Sequence, residues 1–88
     1  MVKIATKRKI GYDFSRSADW NIDKGLTVLR SKYHINNLAQ RYLTVARELE
    51  VRSIQYKRTN PVLSKRVGKM SAEAYRKYDK MADNGRGI

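Results

Sequence analysis

The stretch from Asn37 to Arg58, NLAQRYLTVARELEVRSIQYKR, constrains the fold of this chain more than any other. Wound at about 3.6 residues per turn, it gathers Leu38, Ala39, Tyr42, Val45, Ala46, Leu49 and Tyr56 on one side, with Ile35 just upstream. Gln40, Arg41, Thr44, Arg47, Glu48 and Arg58 fall on the other side. Asn37 stands before the run with Gln40 three residues on, a spacing suited to an N-cap and a reciprocal capping partner. Glu48 and Arg52 form an i,i+4 pair in the favourable order, worth about 0.3–0.5 kcal/mol. The segment reads as an amphipathic helix.

The same stretch contains a fault. On one unbroken helix Val51 lies opposite the apolar face and Ile54 well to its side. A break at Glu50–Ser53 turns both inward and divides the segment into helix, tight turn and second helix. Read so, TVARELEVRSIQYKR resembles a degenerate helix-turn-helix. Ala46 is then the small residue of the first helix, Leu49 and Val51 pack around the turn, and Tyr56 is the inward residue of the second. The departures from the motif are Glu50, which stands where such turns usually place Gly, and Ile54, which would be unusually exposed in it.

Elsewhere the signals are shorter. Val2, Ile4, Ile10, Tyr12 and Phe14 favour even positions, the period of an extended segment, but Thr6, Lys7, Arg8 and Lys9 interrupt them. Residues 1–16 are therefore expected to be a basic extended arm or a small β-hairpin. Ser17 is a candidate cap with Asp19 in the first turn, followed by a stripe of Ile22, Leu26, Leu29 and Tyr33. Gly25 interrupts that stripe at a cost of about 1 kcal/mol relative to Ala. Asn60 followed by Pro61 is a good helix start, with Gly68 as its stop. Ser71 is expected to cap a last helix over Ala72–Ala82, with Met70 and Tyr75 placed for a hydrophobic staple. The expected fold is mainly α: three to four short helices over 17–83, the arm or hairpin before them, and a flexible tail at 84–88. Its core is expected to hold Trp20, Ile22, Leu26, Leu29, Leu38, Tyr42, Ala46, Leu49 and Tyr75.

Charge bounds the function. Eighty-eight residues carry 20 Lys+Arg against 8 Asp+Glu, a formal net charge of +12. That balance predicts association with polyanions and says nothing of fold. The absence of cysteine removes disulfides and thiolate metal sites, and the single histidine, His34, makes a histidine metal site or a Ser-His-Asp arrangement a poor reading. No phosphate-binding loop or dinucleotide fingerprint occurs, and the acidic residues are scattered. No enzymatic activity, catalytic residue, metal or cofactor is expected. No apolar run approaches the roughly 18 residues of a membrane span, and the N-terminus lacks a signal-peptide apolar region, so an intracellular, cytoplasmic location is expected.

From Arg30 to Lys69 ten basic residues meet only Glu48 and Glu50, so 10 − 2 places +8 of the +12 there. Such a section can neutralise several phosphates and release their counterions. The candidate nucleic-acid-binding residues are Arg47, Arg52, Ser53, Gln55, Lys57, Arg58, Lys65 and Arg66, with Lys7, Arg8 and Lys9 in the arm. In a major groove Gln suits adenine and Arg suits guanine. The expected function is a small non-enzymatic nucleic-acid-binding protein. Double-stranded DNA is favoured over RNA, and the small regulators of phages and plasmids are the type it resembles in size and charge. The alternative is a basic adaptor or inhibitor gripping an acidic surface of a larger protein or ribonucleoprotein. A homodimer is expected in either case, because the core is small and the apolar faces many.

Overall fold

A computed structural model describes residues 9–86 of the chain. Three helices follow one another among these residues: α1 (Ala18–Ser31), α2 (Leu38–Thr59) and α3 (Pro61–Arg86). No strand occurs among the described residues. The expected helical class holds, but α2 and α3 are long, at 22 and 26 residues. Of the N-terminal arm, Lys7 and Arg8 lie outside the described residues.

Each helix begins where capping chemistry places it. The Ser17 hydroxyl accepts the Trp20 N–H at 3.1 Å, and Asp19 stands in the first turn of α1. The Asn37 side chain accepts the Gln40 N–H at 2.9 Å. The Asn60 carboxamide accepts the Leu63 N–H at 3.2 Å, with Pro61 as the first residue of α3. Asn60 is also the whole connection between α2 and α3, so the two helices double back as an antiparallel hairpin.

That hairpin closes through small and hydroxylated residues. The Ser53 hydroxyl donates to the Ser64 carbonyl at 2.8 Å, and the Ser64 hydroxyl returns to the Ser53 carbonyl at 2.7 Å. Farther from the tip, the Ser71 hydroxyl donates to the Ala46 carbonyl at 2.8 Å. Gly68 lies between them. A Cβ there would stand 3.1 Å from the Ser53 hydroxyl oxygen, so the missing side chain lets α2 approach. Gly68 and Ser71 are therefore not a stop and a cap. Val67, Met70 and Ala74 form one buried stripe through this region, and their packing against α2 outweighs the glycine's cost of about 1 kcal/mol. The helix also continues to Arg86, past the stop expected before Asn84.

The helix-turn-helix reading fails on the same packing. α2 runs unbroken from Leu38 to Thr59, through the whole of Glu50–Ser53. Among the described residues positive φ occurs only at Gly11 and His34, so no residue there makes a left-handed turn. Because α3 lies alongside this half of α2, Ser53 faces the seam, Val51 is half-buried, and Ile54 stays 63 % exposed.

Residues 9–16 run back along α1 as a packed irregular segment, with no strand or hairpin. The buried Asn21 side chain organises it, accepting the Asp13 N–H at 2.8 Å and donating to the Asp13 and Ser17 carbonyls at 2.9 and 3.0 Å. Ile10 enters the core, Tyr12 stacks on Phe14, and the edge of Phe14 meets Tyr56. The Tyr12 hydroxyl donates to Glu48 at 2.8 Å, which explains why Glu48 is buried rather than solvated. The core joins Ile22, Leu29, Val45, Ala46, Leu49, Val67, Met70 and Ala74, with Leu26, Tyr42 and Tyr75 half-buried against it. Two core expectations fail. Leu38, on the first turn of α2, is 41 % exposed, and Trp20 lies outside the core cluster, with the Arg16 guanidinium 4.8 Å over its ring.

Candidate nucleic-acid interface

The hairpin collects cations that the sequence spreads over twenty residues. From Val51 to Ala72 the chain holds six Lys/Arg and no Asp or Glu. At about 1.5 Å per residue, Arg52, Lys57, Arg58, Lys65, Arg66 and Lys69 all lie within about 14 Å of Asn60 along their helices. Arg52 is half-buried and the other five are exposed. Among the described residues no ion pair joins any of the six to a carboxylate. The doubled-back tip is thus a concentrated positive end, and its field extends over about a Debye length, roughly 8–10 Å at ordinary ionic strength.

The candidates of the sequence reading divide across the molecule. Arg52, Lys57, Arg58, Lys65 and Arg66 share the hairpin end, and Gln55 is exposed beside them. Ser53 is not available as an outward contact, because its hydroxyl is engaged with Ser64. Arg47 is exposed on α2, about 20 Å from Asn60 along the helix, and belongs to a different cluster. There the Tyr75 hydroxyl donates to Glu50 at 2.6 Å. Burial raises the Tyr75 hydroxyl above its ordinary pKa, the Glu50 carboxylate pushes it further, and Arg47 pulls the other way. Lys9 is separate again: its N–H donates to the Tyr33 hydroxyl at 3.2 Å, near the end of α1.

Two residues join the hairpin end that the sequence did not mark as sites. Arg16 and Lys69 line an open groove of about 510 Å³ together with Lys65 and Arg66, between the start of α1 and the first half of α3. No local signal connects Arg16 to residues so far along the chain; only the packing of α1 against α3 does. Lys69 was legible as one more cation on the exposed side of the same helix.

No protein-family model, curated protein or solved structure matches this chain. Among the described residues no cluster of His, Asp or Glu side chains is arranged to hold a metal ion. None of their helices is long and apolar enough to cross a membrane.

Proposed function

We propose that this chain is a small, non-enzymatic, cytoplasmic nucleic-acid-binding protein that grips the phosphate backbone, with duplex DNA as the favoured target. The observation that carries this reading is the hairpin end, where six cations meet without one carboxylate between Val51 and Ala72. Cations that no carboxylate pairs among the described residues can replace counterions on a polyanion, and that exchange drives binding without sequence preference. Backbone contact of this kind needs no recognition helix.

Fluorescence anisotropy with a labelled DNA duplex and a matched RNA duplex, across a salt series, tests it. Affinity is expected to fall steeply with salt. Arg58→Ala and Lys57→Ala should each lower the salt slope by about one unit while leaving the melting temperature nearly unchanged. No binding at low salt, or binding indifferent to salt, refutes the proposal.

A basic adaptor that grips an acidic protein surface is the second reading. It draws support from Val62 and Ile54, which stand 80 % and 63 % exposed on the two helices that carry the cations. Pull-down from nuclease-treated lysate separates the two: a protein partner that survives nuclease favours the adaptor.

A further inference from the structure

Four cations from distant parts of the chain face one groove. Arg16 enters from the loop before α1, and Lys65, Arg66 and Lys69 from α3. Two of them are held in place. The Arg16 Nε lies 3.4 Å from the Asp13 carboxylate, and its guanidinium rests over the Trp20 ring at 4.8 Å. The Arg66 guanidinium donates to the Ser15 carbonyl at 3.2 Å, which ties the loop to α3. Hydrogen bonds from the Ser15 side chain and N–H hold the Asp13 carboxyl below its ordinary pKa, so it stays charged beside Arg16. Glu73 lines the groove too, but it is paired with Arg76 on its own helix.

We infer that this groove is a phosphate seat, which takes a backbone phosphodiester of the bound nucleic acid between Arg16 and the cations of α3. The inference rests on the nucleic-acid reading and makes it specific: one fixed point of contact, with Arg16 and Lys69 as binding residues. The four cations outnumber the two carboxylates beside them, Asp13 and Glu73, so the groove keeps a positive charge that an anion would balance. A guanidinium presents donors in a planar fork that matches phosphate oxygens, and Arg16 is already oriented by two contacts before any ligand arrives. Val62, Ala18 and Met70 supply apolar wall, which suits the sugar carbons on either side of a phosphodiester.

The test uses the full chain in two arms. In the first, duplex-DNA anisotropy across a salt series compares wild type with Arg16→Gln, Lys69→Ala and Arg30→Ala. The last removes the same charge from the exposed final turn of α1, about 20 Å away along the helix. The two groove variants are expected to weaken binding several-fold more than Arg30→Ala and to lower the salt slope by about one unit each. In the second arm, inorganic phosphate is titrated into labelled protein while backbone amide resonances are followed. Shifts are expected at 16–18 and 65–69 in wild type and not in Arg16→Gln. If duplex binding is intact but the groove variants match Arg30→Ala, the seat is wrong and the nucleic-acid reading stands. If wild type binds no duplex at any salt, the nucleic-acid reading and the phosphodiester assignment fall together. A groove response to phosphate then identifies a site for free phosphate instead.

Discussion

Gly25→Ala tests the packing on which everything else rests. Gly25 is buried in the middle of α1, facing Val45 of α2 and the Tyr12 ring. A Cβ at this position would stand 2.6 Å from a Val45 methyl carbon and 2.9 Å from the Tyr12 hydroxyl oxygen. Carbon atoms rest at about 3.5–4.0 Å, so the neighbours must retreat by about 1 Å. Val45 has no exposed surface into which to swing. Tyr12 can move only by weakening its 2.8 Å bond to the buried Glu48. Overpacking costs about 1–3 kcal/mol. Loss of a hydrogen bond to a buried charge adds about 1.5–3 kcal/mol if it is complete. The better helix propensity of alanine returns about 1 kcal/mol. With the hydrogen bond lost, the net expectation is a destabilisation of about 1.5–5 kcal/mol, or a Tm lower by roughly 6 °C or more for a chain of this size. Urea unfolding followed by circular dichroism measures it directly. In a Val45→Ala background the same change should cost less, because the methyl it strikes is gone and only the Tyr12 contact remains. A Gly25→Ala variant as stable as wild type, or more so, would refute this account of how α1 meets α2.

Three further outcomes follow from particular contacts. Tyr12→Phe should cost about 1–3 kcal/mol in urea unfolding, since it removes a donor from a buried carboxylate; an unchanged midpoint would show that Glu48 does not depend on it. Ile54→Ala should change stability by less than about 0.5 kcal/mol because Ile54 is exposed on an unbroken α2, whereas a cost of about 2–5 kcal/mol would restore the turned-in reading of residues 50–53. The raised pKa of Tyr75 means that its contribution is complete below its unfolded value of 10.0 and is lost as pH rises through the higher folded value. Thermal melts above that pH should therefore fall less steeply for Tyr75→Phe than for wild type, and parallel curves would contradict the Tyr75–Glu50 contact.

How far the sequence reaches is clear from its successes and its errors. Ser17, Asn37 and Asn60 cap the three helices as their spacing indicates, because a cap depends only on side chains and amides a few residues apart. Ile22, Leu29, Ala46 and Leu49 are buried as their periodicity requires. The errors share one cause. Gly68 and Ser71 read as punctuation because a glycine and a hydroxyl usually end or start a helix, yet here both are spent on the close approach of α3 to α2. Glu48 falls on the polar side of the wheel, which takes no account of Tyr12 crossing that flank of α2. Trp20, expected in the core as the lone tryptophan, instead has the cations Arg16 and Lys24 over its ring.

The site divides the same way. The sequence by itself determined the charge of +12, the run from Val51 to Ala72 without a carboxylate, and the Asn60–Pro61 start that ends one helix and begins the next. Those properties are local or additive, and no fold can alter them. Only the tertiary structure decided that Ser53 turns into a seam, that Tyr75 reaches Glu50 on the Arg47 side of α2, and that Arg16 meets Lys65, Arg66 and Lys69. Each of these is a meeting of residues from different helices or loops, and which surfaces meet is set by the burial of apolar stripes elsewhere on the same helices. The long-range part of the site is a consequence of that packing, and no spacing along the chain encodes it.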